Sequence, residues 1–309
     1  MGNSPHFKEK KLMGIIATFI LLSGLSFAEP FVVGFAQDTL ANDWRKAQVD
    51  EALKTAANYE NMEIIVKDAG AKPTVQLLHV DEFITMGVDG IITSPFDTPL
   101  MGKALAKAQE KGIKVVLLSR KISADSYDVF IAPDNFNIAK RAGEFLLEQM
   151  NYKGTVLMLQ GVDGVTTTKA REDGFEAVAS QYPKVKIIKR RGNFLRSDTI
   201  AIMEELYKNG VKFDAIYSHS DSMLIGAREV MRHLGKDTSI PMVGIDYVKA
   251  AREAIINGEQ SASFTYPTVA KEGVEAMMKL LNGEELPRKI EVESIKITPQ
   301  NAQDIAPIF

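Results

Sequence analysis

Two aromatic residues and a scattered set of guanidinium and carboxylate groups are the parts of this sequence suited to gripping a small polar molecule. Trp44 is the sole tryptophan, and it follows an early loop; Phe194 occupies an equivalent place in the second half of the chain. Sugars present hydroxyls in fixed pairs and C–H patches on their ring faces. They therefore require bidentate arginine, aspartate and amide partners next to flat aromatic surfaces. Arg120 ends an apolar run, and arginine is rarely buried without a partner, which favours a place in a cleft. Arg171 and Arg196 stand near the starts of amphipathic runs, where a cation gains nothing from the helix dipole. A ligand, or a carboxylate across a cleft, accounts for them better. Asp246 follows the apolar Met242–Ile245 and is either a hydroxyl acceptor or the N-cap of the next helix. Asp221, after Ser220, carries the same two readings. Trp44 itself has a plainer alternative, packing on its own half as an ordinary core aromatic.

Recognisable catalytic and cofactor motifs are missing. No G-x-G-x-x-G follows the first strand, and no P-loop, G-x-S-x-G elbow or H-E-x-x-H is present. Cysteine is absent, and the four histidines His6, His79, His219 and His233 lack metal-ligand spacing, so neither a metal nor a cofactor is expected. Gly161 and Gly164 could let a loop approach a ligand through its backbone. A binding protein is the reading that fits. A carboxylate-pair glycosidase stays open as an alternative, because such enzymes are recognised by distance and not by sequence spacing.

The elements that must hold these residues repeat in a strand-then-helix cadence from Phe31 onward. Phe31–Ala36 precedes Trp44–Tyr59, Glu63–Lys67 precedes Thr74–Met86, and Gly90–Thr93 precedes Leu100–Lys111, with Lys114–Leu118 after them. A second series begins at Thr155–Leu159 and continues through Lys184–Lys189, Ala215–Tyr217 and Met242–Gly244, each strand leading into an amphipathic run. Such alternation implies parallel strands joined by right-handed crossovers, hence an α/β fold with two doubly wound sheets. Asn42 and Asp43 are candidate N-caps, while Gly112, Gly210, Gly235 and Gly283 fall where a left-handed residue ends a helix. No flexible linker separates the halves, so short ordered hinge strands are expected between two lobes. Ligands of open sheets sit beyond the carboxyl ends of the strands, which is where the candidates above lie.

Bulk properties narrow the partners. With 309 residues, 45% hydrophobic and 25% charged, the chain can build two ordinary cores. A net charge of −3 and a pI near 5.9 argue against electrostatic binding to nucleic acid or membranes. At the N-terminus, Lys8, Lys10 and Lys11 precede the apolar Leu12–Leu25 and a small-x-small site at Ser26-Phe27-Ala28. This pattern predicts a signal peptide over 1–28, export to the periplasm and a mature chain from Glu29. The apolar run is shorter than the roughly 20 residues of a membrane span.

In order and spacing, the strings VVGFAQDTLANDWRKAQ, GVDGIITSP, KVVLLSR, IAPDN, TKAREDGFEA, RGNFLRSD, YSHSDSMLIGA and MVGIDY resemble the type I periplasmic binding proteins. The resemblance is to the sugar-binding group that includes ribose- and galactofuranose-binding proteins, and it covers the whole expected mature chain. It implies a ligand cleft between lobes of 29–133 plus 266–293 and 134–265 plus 294–309, with crossings near Asp134, Thr265 and Glu293. By the same resemblance, Asn42, Trp44 and Arg45 match the first ligand-contacting loop and Arg120 the arginine of an Asp-Arg pair. Asn135 matches a polar residue at the first crossing, Arg171 the second-lobe arginine, Phe194 a stacking aromatic and Asp246 a hydroxyl-binding aspartate. Three positions depart: Ser119 stands in place of the aspartate, Ser220 in place of a common asparagine and Thr265 in place of a common glutamine. The departures imply a less anionic cleft, suited to a furanose, an acidic or phosphorylated sugar, or an autoinducer-2-type diester. The implied role is a monomeric, non-enzymatic binding protein that presents its ligand to an ABC importer permease. The alternative is a sensory accessory that reports ligand to a membrane kinase or chemoreceptor.

Overall fold

A computed structural model describes residues 1–2, 29–97 and 99–309. The expected signal peptide lies almost entirely outside the described residues. In chain order the elements are β1 (Phe31–Gln37), α1 (Asp43–Ala56), β2 (Met62–Asp68), α2 (Pro73–Met86), β3 (Gly90–Thr93), α3 (Pro99–Glu110), β4 (Lys114–Leu118) and β5 (Val129–Ala132). Then come α4 (Asn135–Gln149), β6 (Gly154–Gln160), α5 (Thr166–Ala179), β7 (Val185–Arg191), α6 (Arg196–Lys208), β8 (Ala215–Ser218), α7 (Asp221–His233) and β9 (Met242–Asp246). The chain ends with α8 (Lys249–Ile256), β10 (Ala262–Thr265), α9 (Ala270–Leu281), β11 (Lys289–Glu291) and β12 (Lys296–Ile297).

These strands make two separate sheets, in the orders β2-β1-β3-β4-β5-β11 and β7-β6-β8-β9-β10-β12. Every pairing is parallel except β10 with β12. Helices cover both faces of such sheets, which is why β3 and β9 are buried along their whole length and are apolar up to their last residues, Thr93 and Asp246. In the first sheet, Val33, Phe35, Ile92 and Val116 pack against α1 and α9, while Phe83, Ile91, Leu105 and Val115 fill the other face. The second sheet repeats this arrangement around Met158, Phe175 and Tyr217 on one face and Leu157, Met203 and Leu224 on the other. Close approach of α4 and α5 depends on Gly174, where a Cβ would lie 2.2 Å from the Phe136 carbonyl oxygen.

Three strand-to-helix or strand-to-strand steps pass between the sheets. The chain leaves β5 for α4, which packs beneath β8 and β9; it leaves β10 for α9, which packs on β3 and β4; and it leaves β11 for β12. Cross-links tie these passages together: Thr265 N–H donates to the Ile295 carbonyl, Ile295 N–H donates to Thr265 Oγ1, and Ser294 Oγ donates to the Thr265 carbonyl.

Strand order reverses direction twice, at β1/β3 and at β6/β8. In each sheet the chain steps outward on one side and then on the other. The crevice at a switch point is open above the strand ends, and both crevices face the same space between the lobes.

Candidate functional site

The segments leaving β1, β3 and β4 in the first lobe and β6, β7, β8 and β9 in the second enclose a cavity of about 340 Å3. That is near the lower end of the about 300–1,000 Å3 usual for small-ligand pockets. Its first-lobe wall carries Asp38, Asn42, Trp44, Arg45, Phe96, Ser119 and Arg120; its second-lobe wall carries Arg171, Phe194, Ser220 and Asp246. Tyr266, from the passage after β10, forms part of the lining where the lobes meet.

A buried carboxylate organises the first-lobe wall. Asp38 Oδ1 lies 3.1 Å from Arg45 Nε and Oδ2 lies 2.6 Å from Arg120 Nη1, with all three side chains almost fully buried. Arg45 Nη1 also donates to Gln48 Oε1 and Ser94 Oγ, both at 2.9 Å, and to Ser119 Oγ at 3.2 Å. Burial pulls the Arg45 pKa down to about 10, with Asp38 opposing that pull. The aspartate missing at Ser119 is thus replaced from another strand end: Asp38, just beyond β1, takes Arg120. Ser119 instead offers its hydroxyl to Arg45.

A second arginine network spans the hinge. Arg171 Nε donates to Asn135 Oδ1 at 2.9 Å, and Nη1 donates to the His219 carbonyl. Its guanidinium lies 4.4 Å from the Tyr266 ring centre and 5.9 Å from that of Phe194, within cation–π range. Asn135 Nδ2 reaches the Tyr266 hydroxyl at 3.1 Å, and Trp44 Nε1 donates to the Tyr266 carbonyl at 2.9 Å. The Trp44 and Tyr266 rings are 5.5 Å apart and tilted by 46°. Tyr266 therefore touches residues of both lobes at once.

Unspent polar groups point to what the cavity can bind. Among the described residues, Nη2 of Arg45, Arg120 and Arg171 has no hydrogen-bond partner, and the Asp246 carboxylate has no side-chain partner, being met by the Asp221 backbone. Burial raises the Asp246 pKa well above the ordinary aspartate value, against the pull of Arg171, and the nearby Asp221 adds to the rise. Three donor edges and one acceptor on a single small cavity suit a ligand rich in ring and hydroxyl oxygens. Phe194 lies against Gly161, where a Cβ would sit 1.9 Å from the ring, so only glycine allows that placement. Asn193 and Phe194 both have positive φ, 54° and 61°, a strained pair that turns Phe194 into the pocket.

The lobes are closed on each other. Asn42 Nδ2 donates to the Phe194 carbonyl at 2.7 Å, Thr167 Oγ1 donates to the Ser119 carbonyl at 3.1 Å, and Lys121 N–H donates to Thr166 Oγ1 at 3.1 Å. At the rim, Arg196 Nη2 lies 3.7 Å from Asp43.

Of the residues singled out in the sequence, Asn42, Trp44, Arg45, Ser119, Arg120, Arg171, Phe194, Ser220 and Asp246 share this cavity. Four do not line it. Asn135 stands behind Arg171 and orients it. Thr265 is committed to the hinge passages. Arg196 is the first residue of α6, on the rim. Asp221 is the buried first residue of α7, accepting from Tyr247 N–H, Ser263 Oγ and Gln260 Nε2 at 2.7, 2.6 and 2.8 Å. Ser220, not Asp221, caps α7, and Asp246 caps nothing. Arg171 is the sixth residue of α5, past its first turn, because α5 begins at Thr166. Trp44 packs on Tyr266 and the second-lobe core, not on its own half alone. Asp38, Phe96, Thr167 and Tyr266 were not singled out. Asp38, Phe96 and Thr167 follow the carboxyl ends of strands, where the sequence already leads one to expect ligand, whereas nothing around Tyr266 marks it before the hinge geometry is known.

Residues 33–285 match the family described as periplasmic binding protein domain, and the chain belongs to that family. The galactofuranose-binding protein YtfQ of Escherichia coli strain K12 is 28% identical over 307 residues, covering 96% of each chain. The ribose import binding protein RbsB of Bacillus subtilis strain 168 is 26% identical, covering 91% of this chain and 96% of the relative. A crystal structure of a galactofuranose binding protein superposes with a TM-score of 0.84 at 28% identity, covering 89% of this chain and 97% of its own. Among the described residues, no helix is long and apolar enough to cross a membrane.

Proposed function

We propose that this protein captures a small, neutral, hydroxyl-rich ligand, a sugar in furanose form, by closing its lobes, and presents it to an ABC importer. The carrying observation is the closed cavity between the sheets, where three arginine edges and the Asp246 carboxylate stand without side-chain partners beside Trp44, Phe194 and Tyr266. Asp38 already pairs with both Arg45 and Arg120, so neither guanidinium waits for an anionic partner, which favours a neutral sugar over a phosphorylated one. Furanose is favoured by similarity to a galactofuranose-binding protein across nearly the whole chain.

In this reading the lobes are 29–133 plus 266–293 and 134–265 plus 294–309. The ligand contacts both and so favours the closed form through its differential affinity for it. The protein works in the periplasm as a monomer without chemical turnover, and it uses neither metal nor cofactor. Import roles among the relatives favour delivery to a permease over signalling to a kinase or chemoreceptor. Titration calorimetry and thermal shift against pentoses, hexoses and their methyl furanosides test it. Saturable heat and a raised Tm with a furanose support it; no response to any carbohydrate overturns it.

A further inference from the structure

Polarity changes along the depth of the cavity. At its buried end, Arg45, Arg120, Arg171 and Asp246 carry all the unspent hydrogen-bonding groups described above, and each is at most 6% exposed. The half-open end is different. Ala41 and Ala71 reach it from the first lobe and Val162 and Leu195 from the second, all partly or largely exposed, with the Phe194 ring beside them.

Each polar side chain at that end already makes a hydrogen bond within the protein. Asn42 accepts from Arg45 N–H and donates to the Phe194 carbonyl, Thr39 Oγ1 accepts from Ala41 N–H, and Asn193 Nδ2 donates to Asp198. Ala71 adds an independent sign. Its φ is 62°, a left-handed conformation that favours glycine or asparagine, and its N–H is held by the Asp38 carbonyl at 2.8 Å. A residue kept in that conformation presents a methyl group where asparagine, the easier choice, would have presented an amide.

We infer that the cavity selects a sugar that is hydroxylated at its buried end and apolar at its outer end, a deoxy sugar or a short alkyl glycoside. A hydroxyl set against the Ala41, Ala71, Val162 and Leu195 side chains would find no partner among them, whereas a methyl group there covers apolar surface. The inference rests on the sugar-binding reading and narrows it.

Pairs of sugars that differ by one hydroxyl provide the test: D-galactose with D-fucose and L-mannose with L-rhamnose, each also as the methyl furanoside, titrated calorimetrically into the purified protein. For at least one pair, the deoxy member should bind about fourfold or more tightly, the ratio expected for one buried methyl group. Val162→Thr, close in shape, and Ala71→Asn, which suits the left-handed backbone, should each shrink that ratio toward one while leaving the melting temperature of the ligand-free protein near wild type. Equal or tighter binding of the hydroxylated member in every pair overturns the inference while leaving the sugar reading standing. So does a ratio that both variants leave unchanged. Binding of no sugar at all overturns the sugar reading, and the inference with it.

Discussion

Replacing Asp38 with asparagine removes one negative charge and almost no volume. Asp38 is 2% exposed and, among the described residues, is the only carboxylate paired with Arg45 and Arg120, which are 6% and 3% exposed. Without it two buried guanidinium groups remain, and Arg120 already disfavours the charge of Arg45. Removing one partner from a buried ionic cluster costs about 3–5 kcal/mol. At roughly 2–4 °C per kcal/mol for a protein of this size, Tm should fall by about 6–20 °C. Urea unfolding of the ligand-free protein reads the loss, followed by fluorescence of Trp44, the sole tryptophan, whose ring lies 4.9 Å from the Arg45 guanidinium. Adding Arg120→Met should restore part of the stability, because Arg45 would keep Gln48, Ser94 and Ser119 as partners. A change of less than about 0.5 kcal/mol, typical of an ordinary surface substitution, would refute the claim that Asp38 neutralises the arginine pair.

The raised Asp246 pKa makes a signed prediction about pH. A neutral carboxyl is favoured in the fold, so its stabilising contribution is full below the ordinary aspartate value and is lost as pH rises through the raised folded value. Urea melts of the ligand-free protein should show that loss for the wild type relative to Asp246→Asn; parallel pH profiles would count against it. Arg171→Gln keeps a planar amide but loses the contact with Tyr266 and the unspent Nη2, and ligand affinity in calorimetry should fall by at least about tenfold, or 1.4 kcal/mol. Asn42→Ala removes a hydrogen bond between the lobes, worth about 0.5–1.5 kcal/mol, and stopped-flow dissociation should accelerate by about two- to tenfold.

Most of the sheet layout was legible because parallel strands buried on both faces write long apolar runs, as Gly90–Thr93 and Met242–Asp246 do. Elements at the sheet margins were less visible. The four-residue β5 and β10 and the two- and three-residue β12 and β11 carry too little periodicity to stand out, and their places follow from neighbouring strands. Arginines at strand ends were legible as cleft residues because their burial demands a partner. Their partner was not: Asp38 and Arg120 are 82 residues apart and meet only because β1 and β4 flank β3. Asp221 illustrates the converse, since its position after a strand looks like a ligand site until the buried Gln260 and Ser263 are found beside it.

Native mass spectrometry of the protein purified under gentle conditions, wild type beside an Arg120→Gln/Arg171→Gln double variant, bears most directly on capture between the lobes. The wild type should carry a dissociable adduct with the mass of a small saccharide, and the double variant should carry none. An adduct of equal occupancy in both proteins, or a wild type that stays empty even when saturated with the sugars above, would contradict the cavity as the binding site.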